Sequence, residues 1–256
     1  MGDLLKGKNI LIMGVRNKWS IAWGIAEAAR AQGANLIFTY FGEREKEALL
    51  KLTAGMDDIT AYQCDVSNEE DIDLVFSEIR QKFGVLHGLV HAIAFAKAED
   101  LQDTFVNTSK DGFLLAMDIS VYSFVAVTRR ARELMTEGGS ILTLTYRGSE
   151  KVSPGYNVMG VAKAALESSV RYAAYELGGS NIRINGISAG PVKTMSAKGV
   201  KNFSDILALV EERAPLKRNI TLEDLGGAAV FLLSPLSSGI TGEILYVDSG
   251  YNIMGI

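Results

Sequence analysis

Cysteine, histidine and proline are scarce in this chain: of 256 residues, 1 is Cys, 2 are His and 4 are Pro. The lone Cys64 excludes an intramolecular disulfide framework and suits a reducing compartment. It reads as a small buried strand residue rather than a nucleophile. His87 and His91 lack the spacing of metal ligands and no nucleophile elbow is present, so metalloenzyme and hydrolase chemistry lack their parts. Excess positive charge is missing too. A net charge of −4 and a pI near 5.4 give no electrostatic reason to expect nucleic acid or an anionic membrane as partner. Met1-Gly-Asp-Leu-Leu-Lys-Gly-Lys8 lacks the apolar core of a signal peptide, and no apolar run reads as long enough to cross a bilayer. Linkers, low-complexity tracts and repeats are absent. A soluble, cytoplasmic chain forming one domain over 1–256 is expected.

What the chain has in quantity is apolar residues, 48% of the total, enough for one large core. They fall in short runs bounded by turn residues, predicting strands at 9–14, 34–40, 59–65, 88–94, 140–146, 182–188 and 243–248. Several runs are apolar almost continuously, as strands covered on both faces require. Helical patterns lie between them near 20–32, 43–53, 68–83, 109–135, 157–178 and 222–234. Regular alternation of this kind predicts an α/β fold: a doubly wound, Rossmann-like parallel sheet of about seven strands, with helices on both faces. Segment 194–216 breaks the rhythm. It follows the carboxyl end of the sixth predicted strand, where open α/β sheets bind ligands, and reads as a lid of two short helices around Gly199.

Gly14-Val-Arg-Asn-Lys-Trp-Ser20-Ile-Ala-Trp-Gly24 follows the first strand. It is longer than the usual G-x-G-x-x-G loop but meets the same physical needs. Gly14 permits the turn and a close backbone approach, Ser20 can cap the next helix and offer a hydroxyl to a phosphate, and Gly24 lets that helix pack tightly on the sheet. An ordinary strand-to-helix loop would also look like this. Asp65-Val66 could hold an adenine, or cap the helix beginning at Ser67-Asn-Glu-Glu. Ala92-Ile-Ala-Phe-Ala96 is small enough for a dinucleotide to lie across it. After the turn at Gly190-Pro191, Val192 and Thr194 are placed to meet a nicotinamide amide.

Tyr156 and Lys163 stand seven residues apart. On a helix that spacing brings both side chains within ~20° of one face, about 10 Å apart along the axis. Lys163 then leans back toward the turn carrying Tyr156. A phenol beside a permanent cation is a donor with a lowered pKa, suited to an oxyanion forming on a carbonyl. By itself the pair also arises by chance on amphipathic helices.

Together these segments resemble the short-chain dehydrogenase/reductase superfamily, and more closely its bacterial NADH-type enoyl-acyl-carrier-protein reductases. The likeness spans essentially the whole chain. It is most specific in Tyr146, Tyr156-Asn-Val-Met-Gly-Val-Ala-Lys163-Ala, Gly14…Ser20-Ile-Ala, Ile93-Ala-Phe-Ala96, Ile187-Ser-Ala-Gly-Pro191 with Thr194 and Ser196-Ala-Lys-Gly199, Glu212-Arg-Ala-Pro-Leu-Lys217, and Val247-Asp-Ser-Gly250. The resemblance implies that NADH delivers hydride to the β-carbon of a trans-2-enoyl thioester. Tyr156 would donate to the thioester oxygen, and Lys163 would stabilise the enolate and bind the nicotinamide ribose. Tyr146 would line the acyl pocket, and Ala96 would touch the thioester. It further implies dinucleotide contacts from Gly14, Ser20, Ile21, Phe41, Asp65, Val66, Ile93, Val192, Lys193, Thr194, Met195 and Ser196.

Arg16 and Trp19 in the phosphate loop, Arg147 after the first tyrosine, and the polar Ser149–Pro154 stretch depart from the family pattern. NADH is expected over NADPH, because Phe41-Gly42-Glu43 offers no cation for a 2′-phosphate and Glu43 would repel one; Arg16, Arg44 and Lys46 are the residues that could reverse this. A homotetramer is implied, with interfaces from 157–178 and 246–256. Lys193, Lys198, Lys201, Lys217 and Arg218 read either as a docking patch for an anionic acyl carrier protein or as ordinary solvated cations on a loop. The rivals are a carbonyl or 3-oxoacyl reductase on the same fold, which needs Tyr and Lys four apart and a preceding serine, and a non-catalytic dinucleotide sensor or purely structural oligomer.

Overall fold

Alternating side chains decide the layers. In β1 (Asn9–Met13) every residue is buried. Successive side chains point to opposite faces, so Ile10 and Ile12 enter one hydrophobic cluster while Leu11 and Met13 enter the other. A strand packed on both sides has no polar face to show, which explains the unbroken apolar run. The computed structural model describes residues 2–56, 59–194 and 203–255.

The strands are β1, β2 (Asn35–Tyr40), β3 (Thr60–Gln63), β4 (Gly88–His91), β5 (Gly139–Thr145), β6 (Ile182–Ala189) and β7 (Ile244–Val247). They form one sheet in the order 3-2-1-4-5-6-7, parallel throughout. Against one face pack α3 (Glu69–Phe83), α6 (Ser123–Leu134) and α7 (Asn157–Leu177); against the other pack α1 (Ile21–Ala31) and α9 (Leu222–Leu233). Strand order reverses between β1 and β4, with Met13 beside His91 in register. The carboxyl ends on either side of that reversal open a crevice, where a doubly wound sheet takes its ligand.

Local chemistry sets the element ends. Asn68 caps α3 by accepting from Glu70 N, and Thr221 with Asp224 forms a capping box on α9. Gly24 has a different partner from the one expected. A Cβ there would lie 2.7 Å from Leu222 Cβ, and one at Gly226 would lie 2.7 Å from Ala28 Cβ. These glycines let α1 and α9 touch each other; the sheet is contacted by Trp23, Ile25 and Ala26 instead.

The apolar stretch 109–135 is not one regular helix. It divides into α5 (Lys110–Met117), a π-turn at Asp118–Tyr122, and α6. The whole run, Lys110–Leu134, has the length and hydropathy of a membrane span, contrary to the expectation of none, but half of its most apolar window is buried inside the protein. Phe124, Val127, Ala131 and Leu134 face the sheet, so this is a core helix. Two elements unseen in the sequence pattern, α4 (Ala98–Gln102) and a single 3₁₀ turn at Phe105–Asn107, precede it. In the expected lid, α8 (Phe203–Arg213) is present. The helix anticipated before Gly199 lies outside the described residues.

Candidate active site

Gly14 opens the crevice. Its φ of +95° suits glycine alone, and a Cβ would sit 2.1 Å from the Ala92 carbonyl oxygen. The backbone of β1 therefore passes directly over the end of β4. Ser20 occupies the N-cap position of α1 without capping it; its Oγ accepts from Arg16 N at 3.0 Å and Asn17 N at 3.1 Å. Ser20 thus ties its own loop into a ring and keeps its hydroxyl proton to donate, with Ile21 as the first helical residue beside it.

At the lip, Arg16 reaches Glu45 of α2 (Glu43–Leu52), with 3.6 Å between charged atoms. Lys46 pairs with Glu43 at 3.0 Å and lies 5.9 Å from the Tyr40 ring centroid. Two of the three cations that could recruit a 2′-phosphate already have carboxylate partners. Glu45 was not singled out in the sequence, and only its place on α2 brings it to Arg16. Phe41 is exposed past the end of β2. Asp65 folds back on its own loop, accepting from Ser67 N at 2.9 Å and Ser67 Oγ at 2.7 Å, and Val66 packs on the core. The helix cap is therefore Asn68 rather than Asp65. Beyond β4, Ile93 and Ala96 pack against the core. Phe95 between them is pinned through its backbone, its N–H donating to Ser120 Oγ at 3.1 Å and its carbonyl accepting from that hydroxyl at 3.2 Å. Ser120 belongs to the π-turn, a distortion common at functional sites.

Tyr156 begins the turn into α7. Its ring meets the Tyr146 ring edge-on, with centroids 4.9 Å apart and planes at 69°. Gly148 makes room for both: a Cβ there would lie 2.6 Å from Tyr156 Cδ1 and 3.1 Å from Tyr146 Cδ1. A Cβ on Gly160 would strike the Gly148 carbonyl at 2.8 Å. Neither glycine stands out in sequence, since what each avoids is distant along the chain or hidden by the turn. Asn157, at φ +35°, donates through Nδ2 to the Asp103 carbonyl at 2.7 Å and the Asp100 carbonyl at 3.2 Å. That fastens the first turn of α7 to α4.

Lys163 is buried, and its Nζ donates to the Leu144 carbonyl of β5 at 2.7 Å. Burial pulls its pKa down to about 8, against an opposing pull from Glu167. Burial also raises the Tyr156 phenol above its ordinary value, with Tyr146 and Glu167 adding to the rise. Both directions correct the sequence expectation. The Tyr156 phenol is raised rather than lowered in pKa, and Lys163 is an ammonium whose pKa burial has brought closer to neutral pH. At Lys163 desolvation outweighs the neighbouring charge, and at Tyr156 the two act in the same direction.

Arg147 turns from the tyrosines to stack on Tyr251, its guanidinium carbon 4.4 Å from the ring centroid. Past β6, Gly190 N donates to the Val247 carbonyl, Val192 is partly buried against the second cluster, Lys193 is exposed and Thr194 is partly buried. Met195 and Ser196 lie outside the described residues, as do Lys198 and Lys201 of the basic patch. Within that patch, Lys217 donates to the Glu212 carbonyl and Arg218 makes two bonds to Asp224. Cys64 is buried, with its thiol pushed up to about 12 by desolvation, as a structural cysteine should be.

A glycine turn that a Cβ would fill, a serine-closed loop at the start of α1 and a crevice at the strand reversal fit the pyrophosphate and ribose of a dinucleotide. With a phenol and a lysine against the carboxyl end of β5, the strand next to β4, fold and site define a dinucleotide-dependent reductase of the short-chain class. The family model described as enoyl-(acyl carrier protein) reductase matches residues 14–252. The chain is 55% identical over 255 residues to the NADH enoyl-acyl-carrier-protein reductase FabI of Bacillus subtilis, covering 99% of each. It superposes with a TM-score of 0.98 on the crystal structure of the Bacillus cereus enoyl-acyl carrier protein reductase with NADP+ and indole naphthyridinone, at 53% identity and 100% coverage of both chains. A reductase of the same description from Anaplasma phagocytophilum, in complex with NAD, gives a TM-score of 0.95 at 47% identity, covering 100% of this chain and 96% of that one. The chain belongs to the enoyl-acyl-carrier-protein reductase family.

Proposed function

We propose that this chain reduces the trans-2 double bond of enoyl thioesters borne on acyl carrier protein, in the cytoplasm, using NADH in fatty-acid elongation. The carrying observation is the Tyr156–Lys163 arrangement: a protonated phenol with its ring held by Tyr146 and Gly148, and a buried lysine reaching the same strand end. When bound, a reduced nicotinamide would supply the hydride taken up at the β-carbon. Gly14, Ser20 and Ile21 would hold the pyrophosphate end of the dinucleotide, Phe41, Asp65 and Val66 would flank the adenosine, and Ile93, Val192, Lys193 and Thr194 would border the nicotinamide, with Met195 and Ser196, outside the described residues, assigned to the same role.

Tyr156 donates to the thioester oxygen and stabilises the negative charge that would develop there on reduction of the β-carbon, and a proton reaching the α-carbon then completes the saturated thioester. Because its pKa is raised, the phenol stays protonated at neutral pH and acts as a hydrogen-bond donor. Lys163 adds positive charge in a site of low dielectric, where charge counts most. Tyr146 fixes the Tyr156 ring and borders the acyl chain, and Ala96 presents its backbone to the thioester. Segment 194–216, including α8, covers the acyl chain as a lid on a single domain. Exposed Tyr172 and Tyr175 on α7 support a homotetramer built on that helix. The carrier protein docks beside the lid on a patch whose described cations are the exposed Lys193, Lys217 and Arg218, the last already paired with Asp224.

A carbonyl reductase on this fold would need a hydroxyl free to meet its substrate. Thr143 Oγ1 donates to the His91 carbonyl and Thr145 Oγ1 to Glu167, so neither is available. The deciding test is loss of 340 nm absorbance with a crotonyl thioester and each nicotinamide cofactor. Turnover faster with NADH supports this reading. Tight binding without turnover replaces it with a sensor.

A further inference from the structure

Glu167 is a buried carboxylate that the proposed reaction leaves unused. It lies four residues after Lys163 on α7, and at that spacing two side chains share a helix face. Both are buried, at 5% and 6% exposure. A carboxylate seldom leaves water without a partner that compensates it. The bonded partner here is neutral: Thr145 Oγ1 donates to Glu167 Oε1 at 2.6 Å. Thr145 follows Leu144, whose carbonyl accepts from Lys163 Nζ at 2.7 Å, and precedes Tyr146, whose ring braces Tyr156. Leu144 and Thr145 at the end of β5 and Tyr146 just past it thus hold the ammonium, the carboxylate and the phenol in turn.

We propose that Glu167, oriented by Thr145, is the positioning counter-ion that keeps the buried Lys163 ammonium charged beneath Tyr156. The inference rests on the catalytic reading of Lys163 given above. Burial alone drives a lysine toward its neutral form, and a neutral amine would add no positive charge at the enolate. The opposing charge must come from inside, because solvent is excluded. The groups facing this pair are Tyr156 on α7, Tyr146 after β5, His91 on β4, and Tyr246 on β7 with Glu150 and Asp248 around it. His91 is held neutral, and Tyr156 and Tyr246 are held protonated. Among the described residues in this group, Glu167 is the carboxylate whose field raises Lys163. The same residue also discourages ionisation of Tyr156, so it separates the two protonation states in the direction the reaction needs.

A role confined to packing α7 on β5 would make a different prediction, and the full-length protein distinguishes the two. Glu167→Gln keeps size and can still accept from Thr145 but loses the charge. Lys163 is followed by NMR of side-chain-labelled lysine in the cofactor-free protein, its signal assigned by disappearance in Lys163→Met. Its titration midpoint should fall by about one unit or more, the ordinary effect of losing a close opposite charge. The alkaline limb of kcat against pH, measured with a crotonyl thioester and saturating NADH, should move toward neutrality by the same amount. Thr145→Val, which frees the carboxylate to turn away, should move both in the same direction by less, and it serves alone if Glu167→Gln does not fold. An unmoved Lys163 titration, with kcat lowered equally at every pH, overturns the proposal. If Lys163 moves as expected but Lys163→Met still turns over normally, the catalytic reading fails and the positioning role with it.

Discussion

Tyr146 and Tyr156 meet edge to face, 4.9 Å between centroids, although ten residues and a tight turn separate them in the chain. The contact holds because the residue between their rings is Gly148, whose absent Cβ leaves the gap that both edges fill. A phenol so braced points one way, and the reaction proposed here depends on that direction.

Gly148→Ala should therefore damage catalysis more than stability. The added methyl meets Tyr156 Cδ1 at 2.6 Å and the ring must move. Overpacking of this kind costs about 1–3 kcal/mol, while a reacting donor displaced by about 1 Å can cost ~10²-fold in rate. Thermal unfolding and kcat measured on the same variant check this. A fall in Tm with kcat untouched would mean that the Tyr156 orientation is not critical.

Tyr156→Phe keeps the ring and its contact with Tyr146 but removes the donor. A loss of at least about tenfold in kcat is expected, with ~10²-fold ordinary for a donor that acts on a developing oxyanion. NADH affinity, read by fluorescence titration, should change little. Unaltered kcat would remove Tyr156 from the reaction.

Cofactor preference should respond to Glu45. Its pairing with Arg16 is partly exposed, 3.6 Å between charged atoms, so it is worth at most about 1 kcal/mol. Glu45→Gln releases Arg16 and removes a negative charge from the lip. NADPH should bind roughly two- to fivefold tighter, the span that such an energy allows. NADH binding should stay level, and Glu45→Gln combined with Arg16→Ala should reverse the gain. Titration calorimetry with both cofactors decides it; equal changes for the two would show that Arg16 does not reach the 2′ position.

Acid stability should carry the mark of His91. This ring is fully buried between Ser123 and Thr143, and burial, helped by the Lys163 charge, lowers its pKa to about 3. Its folded pKa lies below its unfolded one, so the unfolded chain takes up a proton below about pH 6.5 that the folded chain refuses. Stability from this site is complete above that pH and is lost toward pH 3, at about 1.4 kcal/mol per unit. Urea unfolding between pH 7 and 4.5 should show His91→Gln losing stability less steeply than the parent. Parallel slopes would mean that the ring is protonated in the folded protein.

Local period and turn chemistry were readable from residue order alone. Ile10 to Met13 can be apolar at every position only if both faces are covered, and Gly14 ends the run where the chain must turn over its neighbour. Alternation of strands and helices specified the parallel sheet, and seven residues between Tyr156 and Lys163 placed them on one face. The boundaries moved where long-range partners intervened. Helix 109–135 yields a π-turn because Ser120 holds Phe95 from a different element, and Gly24 serves α9 rather than the sheet because Leu222 arrives from the far end of the chain.

Charge state belonged entirely to the tertiary structure. Residue order set a lysine near a tyrosine and suggested an acidified phenol. The fold buried both, and desolvation raised one pKa and lowered the other. Glu45 gained Arg16, Gly148 gained the Tyr156 ring and Glu167 gained Thr145 by the same route, through the tertiary fold. Periodicity is carried by neighbours along the chain, so sequence can determine it. Desolvation and Coulomb fields sum over everything that surrounds a group, and only the folded chain supplies those surroundings.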